Sequence, residues 1–217
     1  MVVLHKSEAR ERVRSFWVAQ GNRQDAEHDL QHALHAAQER ECWMSLFLQH
    51  IPHRSRVIDM GAGTGYCSLL LAKMGHAVTA LDWAAGLLAR AEQKASQTGV
   101  RLKTQTADME HAPFTDGIFD ALTARSVLWT LVHPERAIKE WHRILRPGGV
   151  AIADLAIGDA SAHYEADVEA ELPLRQVRSV AELEALFRQQ GFADVRIQED
   201  TFPHTGDHVH VMVIARR

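Results

Sequence analysis

Three acidic residues close three successive strand-like segments: Asp59 after Val57-Ile58, Asp82 after Val78-Thr79-Ala80-Leu81, and Asp108 after Thr104-Gln105-Thr106-Ala107. The first is followed by glycines at alternate positions, Gly61, Gly63 and Gly65. Glycine lacks Cβ, so the chain can turn sharply out of a strand and leave the N–H groups of the next helix facing a ligand. Such loops often cradle phosphate, but Asp59 would repel a pyrophosphate and attract an α-amino group or a sulfonium. The spacing agrees. A dinucleotide fingerprint G-x-G-x-x-G counted from Gly61 needs glycine at position 66, where this chain has Tyr66.

The surrounding elements must bring the acids together. Gly65 to Met74 carries Leu69, Leu70, Leu71 and Ala72 and stops at Gly75, as a short helix with a glycine C-cap does. His76 to Asp82 reads as a second buried strand, Ala84 to Ala95 as a helix, Val100 to Met109 as a third strand, and Pro113 to Leu122 as a turn feeding a fourth. In an open parallel sheet, ligands lie across the carboxyl ends of the strands where strand order reverses, which places Asp82 beside the glycine loop. There it can accept from both hydroxyls of a ribose, or cap the following helix. Asp108 can accept from the exocyclic amine of adenine while Met109 packs on the ring.

Read together, Asp59-x-Gly61-x-Gly63-x-Gly65, Leu81-Asp82, Ala107-Asp108-Met109, Pro113-Phe114-x-Asp116-Gly117-x-Phe119-Asp120, Arg125-Ser126-Val127-Leu128-Trp129 and Ile144-Leu145-Arg146-Pro147-Gly148-Gly149 resemble the class I S-adenosylmethionine-dependent methyltransferases, in particular small-molecule enzymes of the ubiquinone/menaquinone-biosynthesis type. The resemblance covers about residues 56–154. It implies an α/β fold: a Rossmann-like, doubly wound, seven-stranded, mostly parallel sheet with an antiparallel C-terminal hairpin and an N-terminal helical cap. It implies S-adenosylmethionine as cofactor, with Asp59, Gly61, Ala62, Gly63 and Gly65 at the methionine end, Asp82 and Trp83 at the ribose, Asp108 and Met109 at the adenine, and Arg125 nearest the methyl group.

The 217 residues, 46% hydrophobic and 24% charged, suit one domain with a modest addition. We divide them into a helical cap or lid over 1–50 and a cofactor-binding domain over 51–217, with 158–178 as a substrate-side insertion. A formal charge of −4 and a pI near 6.4 argue against general affinity for nucleic acid or anionic membrane. With two cysteines, no secretory pattern and no long apolar run, the expected location is cytoplasmic. No feature assigns an oligomeric state.

On the acceptor side, Phe16 and Trp17 belong to an amphipathic N-terminal stretch, Trp129 follows Arg125 by four residues, and His163 and Tyr164 stand in the insertion. These five are expected to line the pocket of a small-molecule acceptor, since the Thr123-Ala124-Arg125-Ser126 segment lacks the Pro-Pro-aromatic turn of nucleobase amino-methylation. His133, in the segment leaving strand four, is the candidate general base, although His133-Pro134-Glu135 also reads as a helix start. The groups His28, His32, His35 and His204, His208, His210 lack zinc-ligand spacing, so no metal is expected. Two other readings stay open: a non-catalytic S-adenosylmethionine-binding partner subunit, and a nicotinamide-dependent oxidoreductase, which Tyr66 disfavours.

Overall fold

Apolar and β-branched runs in this chain form seven strands: β1 Arg56–Met60, β2 Ala77–Asp82, β3 Lys103–Thr106, β4 Phe119–Ala124, β5 Leu145–Ile157, β6 Asp194–Glu199 and β7 Val209–Arg216. The computed structural model describes residues 4–21, 36–158, 163–199 and 209–217. All seven strands join one sheet in the order β3-β2-β1-β4-β5-β7-β6. Neighbours from β3 to β5 are parallel, whereas β7 runs antiparallel to both β5 and β6. The expected doubly wound, mostly parallel sheet is therefore present, with β7 alone reversed among the described strands. Strand order turns back between β1 and β4, which opens the ligand crevice at their carboxyl ends.

Among the described residues, seven α-helices accompany the strands: α1 Lys6–Gly21, α2 Ala36–His50, α3 Tyr66–Lys73, α4 Ala85–Gln97, α5 Pro134–Ile144, α6 Ala166–Glu169 and α7 Val180–Gln189. Each sheet face has its own core. On one, Trp141 of α5 and Phe187 of α7 meet Ile58, Leu122, Ala151 and Val213; on the other, Trp43 and Phe47 of α2 meet Val57, Ile152, Met212 and Ile214. Residues 36–50 thus lie against the sheet as a core layer. The stretch around Leu30, Ala33 and Leu34, and the histidines at 28, 32, 35, 204 and 208, lie outside the described residues.

Local chemistry sets the element ends. Pro134 occupies the first turn of α5, where its missing N–H and fixed φ cost nothing, and His133 is the non-helical residue before it, with φ −126°. Ser179 caps α7, its Oγ accepting from the Glu182 N–H at 3.3 Å. One expectation is corrected. The third strand is shorter than the segment from Val100 to Met109, because Asp108 Oδ1 accepts from the Glu110 N–H at 3.0 Å and turns the chain out of the sheet. Within the insertion, residues 163–178 hold α6 and a 3₁₀ turn over Pro173–Arg175 and bury Val168, Leu172 and Leu174.

The Trp141 side chain, fully buried between α5 and the sheet, has no room to be replaced. Trp141→Ala should destabilise the fold by about 3–5 kcal/mol. Leu48→Ala, at a side chain 63% exposed, should change stability by less than about 0.5 kcal/mol. Urea unfolding of the two variants beside wild type checks both values.

Candidate active site

The crevice is built from β1 outward. Asp59, in β1, is 2% exposed; its Oδ2 accepts from the Ser68 N–H at 2.9 Å and the Ser68 Oγ at 2.6 Å, and its Oδ1 from Thr123 Oγ1 at 2.8 Å. One carboxylate thereby ties β1 to the first turn of α3 and to β4. Burial pushes its pKa up to about 6, against the pull of the Ser68 and Thr123 hydrogen bonds.

The glycine loop is pinned by close approach. A Cβ on Gly61 would lie 2.5 Å from Val127 Cγ2 and 3.4 Å from Met109 Cε, and one on Gly65 would lie 2.8 Å from Ala91 Cβ of α4. Gly61 thus packs under the chain leaving β4, and Gly65 under α4. Gly63 differs: no atom stands within 4 Å of its Cβ position, so its outer side faces open space. Its N–H turns inward and donates to Asp82 Oδ2 at 2.9 Å, while Asp82 Oδ1 accepts from Ala84 N–H at 2.8 Å. Asp82 therefore braces the loop and, through the N–H of Ala84, the chain just ahead of α4, whose N-cap residue is Ala84. Each carboxylate oxygen keeps a further lone pair for a ligand hydroxyl. Burial raises the Asp82 pKa, opposed by the Ala84 and Gly63 N–H groups.

The third acid meets a cation from far away in the chain. Arg10 of α1 donates to Asp108 and, at 3.1 Å, to Glu110 Oε1, and its guanidinium carbon lies 5.8 Å from the centre of the Trp83 ring. Between α1 and the sheet end, the cavity lined by Arg10, Val13, Trp83, Asp108 and Met109 has a volume of about 10 Å³. That is room for about one water, far too little for a purine. With α1 in this position, the place beside Asp108 is held by Arg10.

The same helix reaches a second cluster. The five expected acceptor-side residues come together: Phe16 lies edge-on to Trp17 at 5.3 Å and to Tyr164 at 5.0 Å, and Trp129 lies 6.2 Å from Trp17, 4.6 Å from His163 and 5.8 Å from Tyr164. Trp17 Nε1 donates to Tyr164 Oη at 2.8 Å, and the Arg175 guanidinium sits over Trp129 at 5.1 Å. Arg12 adds ion pairs to Glu165 and Asp167, at 3.0 and 2.9 Å. α1 therefore touches the cofactor side through Arg10 and the aromatic side through Trp17.

Arg125, at the end of β4, donates from Nε to Glu39 Oε1 of α2 at 2.7 Å and stacks 4.5 Å above the Tyr66 ring. Next to it Ser126 adopts φ +55°, an uncommon conformation for a residue with a side chain, and donates its N–H to Asp154 Oδ1 at 2.5 Å. Asp154 in turn faces His210 Nε2 at 3.3 Å. His133 stands apart from these groups. It precedes α5, and its Nδ1 lies 3.6 Å from Glu135 Oε1. Arg10, Glu39, Thr123, Asp154 and His210 escape a reading of the sequence; only Asp154, one more acid near the end of a strand, carried a local signal.

Sheet order, glycine loop and strand-end acids form an open α/β sheet with a crevice at its switch point, and comparison with known proteins says what this resembles. Residues 58–153 match a family described as "Methyltransferase domain". Demethylmenaquinone methyltransferase of Thermus thermophilus is 35% identical over 108 residues, 49% of this chain and 48% of that protein. Malonyl-[acyl-carrier protein] O-methyltransferase of Serratia marcescens is 32% identical over 150 residues, 65% of this chain and 56% of that protein. The chain spans about half the length of these curated relatives. The structure of Burkholderia thailandensis 1,6-didemethyltoxoflavin-N1-methyltransferase, with bound 1,6-didemethyltoxoflavin and S-adenosylhomocysteine, superposes with a TM-score of 0.74 at 20% identity, over 100% of this chain and 92% of that one; at that identity the likeness is one of fold. Over residues 58–153 the chain is thus similar to a methyltransferase domain, set in a fold that it shares with a solved methyltransferase. Among the described residues, no helix is long and apolar enough to cross a membrane.

Asp59 gives the site a pH signature. Its folded-state pKa, about 6, lies above the ordinary 3.8, so the folded chain holds this proton more tightly than the unfolded chain does. Its contribution to stability therefore falls as pH rises through that interval, by on the order of 2–3 kcal/mol. Urea unfolding of wild type and Asp59→Asn across the interval should show the wild-type advantage shrinking with rising pH. A flat or growing advantage contradicts the buried-carboxylate account.

Proposed function

We propose that the chain binds S-adenosylmethionine in the β1–β4 crevice and transfers its methyl group to a small-molecule acceptor. The observation that carries this is the convergence of Gly63, Asp82 and Asp108 on one sheet edge, with open space on the outer side of Gly63. The donor set fits the cofactor: glycine-loop backbone for the amino-acid end, the free lone pairs of Asp82 for ribose hydroxyls, and Asp108 with Met109 for adenine. Once bound, S-adenosylmethionine supplies an electrophilic methyl on a sulfonium. The protein's part is then to hold the acceptor in line and exclude water, and positioning of this kind contributes about 7–11 kcal/mol in favourable systems.

Phe16, Trp17, Trp129, His163 and Tyr164 form the acceptor wall in this reading. Their aromatic faces suit a flat or apolar acceptor. The relatives named for demethylmenaquinone and 1,6-didemethyltoxoflavin support an acceptor of that size. Asp59, with its hydrogen bonds committed to Ser68 and Thr123, acts by fixing the loop and lending negative charge. The first 21 residues serve as a cover: α1 closes on Asp108 through Arg10 and must shift, or release that arginine, to admit adenine.

Calorimetry with S-adenosylhomocysteine and with NAD tests the cofactor assignment. S-adenosylhomocysteine should bind and NAD should not; the reverse sinks the proposal. Asp82→Asn should weaken S-adenosylhomocysteine binding by about 1.5–3 kcal/mol, the range for hydrogen bonds to a charged group. The unfolding midpoint of the free protein should move far less, since asparagine still accepts from one of the two loop N–H groups. If stability drops and affinity does not, Asp82 is a brace only. A methyl-transfer screen over quinones and aromatic heterocycles then separates an enzyme from a cofactor-binding subunit.

Arg10→Ala tests the cover. The ion pairs to Asp108 and Glu110 are partly exposed, with side-chain exposures of 28% for Arg10 and 30% for Asp108, so removing them should tighten S-adenosylhomocysteine binding by roughly 1 kcal/mol, about fivefold. Weaker binding in this variant would instead make Arg10 a cofactor ligand.

A further inference from the structure

A second cavity lies at the opposite edge of the sheet, away from the cofactor crevice. Its volume is about 330 Å³, within the range of small-molecule sites. It sits where α2 ends (Leu48 to Ile51), where α3 gives way to β2 (Met74, His76), and where β7 ends (Arg216). Nothing in the proposed methyl transfer uses it.

Its chemistry is one-sided. Arginine and three histidines, His50, His53 and His76, line it together with apolar Leu48, Ile51, Pro52 and Met74, and no carboxylate does. Arg216 has no ion-pair partner among the described residues. His76 Nδ1 accepts from the Ser55 N–H at 3.3 Å, which leaves Nε2 to carry the ring proton and act as donor. His50 Nε2 is buried and has no hydrogen-bond partner among the described residues. The charges acting on these rings share one sign. Burial, then Arg216 and Arg196, lower the His50 pKa, and burial, then His53, lower that of His76. Of these, Arg196 is partly neutralised by Asp194 at 3.2 Å.

The carbonyl ends of α2 and α3 oppose an anion here. At α3 they are already engaged, the Ala72 and Leu71 carbonyls accepting from the Gly75 and His76 N–H groups at 3.1 Å each. A helix end also carries only about half a charge, against the full charge of Arg216. A cation would meet Arg216 in a cavity lined by no carboxylate, since Asp194, the register partner of Arg216, is engaged by Arg196 at 3.2 Å. A neutral apolar ligand would leave Arg216 unanswered.

We propose that this cavity is a binding site for a small organic carboxylate, its anionic head between Arg216 and His76 Nε2, its apolar body against Leu48, Ile51 and Met74. Recognition rests on a charge-assisted pair to the guanidinium, which presents a planar fork to a carboxylate.

Histidine-ring NMR at neutral pH, with benzoate, benzamide and inorganic phosphate as probes, tests this. Benzoate should shift the His50 and His76 resonances saturably, and benzamide, its neutral analogue, should not. Arg216→Ala and Arg216→Gln should each weaken benzoate binding about tenfold or more while leaving S-adenosylhomocysteine affinity unchanged. The proposal is overturned if benzoate gives no saturable shift, if benzamide matches it, if phosphate binds as well as benzoate, or if the Arg216 variants bind benzoate as wild type does. Because S-adenosylhomocysteine is titrated separately, failure at this cavity leaves the cofactor reading standing, and the reverse holds too.

Discussion

One buried carboxylate holds the crevice open. Asp59 joins the end of β1 to the start of α3 through Ser68 and to β4 through Thr123, and these are the elements between which the sheet order reverses. A charge this deep is expensive, which is why its pKa rises. The three hydrogen bonds offset that expense and fix the angle at which the chain leaves β1. The glycines follow from this geometry. With α3 drawn against β1, the intervening loop must pass under Val127 and Ala91, where a Cβ at Gly61 or Gly65 has no space.

Asp82 has structural work on both of its oxygens. They brace the loop through Gly63 and the chain just ahead of α4 through Ala84, which is itself the N-cap residue of that helix. The acid beyond β3 is used differently. Asp108 makes an Asx-type turn through Glu110 and takes the guanidinium of Arg10 from a helix nearly one hundred residues earlier. That cation joins α1 to the end of the sheet, and Trp17 of the same helix joins it to the aromatic cluster around Trp129.

Much of this architecture was legible because its causes are local. The apolar runs, the glycine spacing and the strand-end acids each act within a few residues, and together they define the parallel sheet and its crevice. Pro134 marked the start of α5 for the same reason. The pairings that close the site were not legible: Arg10 with Asp108 and Glu110, and Arg125 with Glu39, join segments whose only relation is that the fold brings them together. The left-handed Ser126 had no signal either, since its conformation is held by Asp154 from the neighbouring strand. Within the insertion given as 158–178, the few apolar residues that become buried, Val168, Leu172 and Leu174, are spaced for a short helix and turn rather than for a long periodic element.

Amide hydrogen exchange with and without S-adenosylhomocysteine tests the central claim most directly, that the β1–β4 crevice is the cofactor site and that α1 covers it. Protection should increase at the glycine loop from Gly61 to Tyr66, at Asp82 to Ala84 and at Asp108 to Glu110, and the exchange of α1 should change with it. Ligand-dependent protection confined to other parts of the sheet, or an α1 as protected as the core strands and indifferent to ligand, would contradict the account.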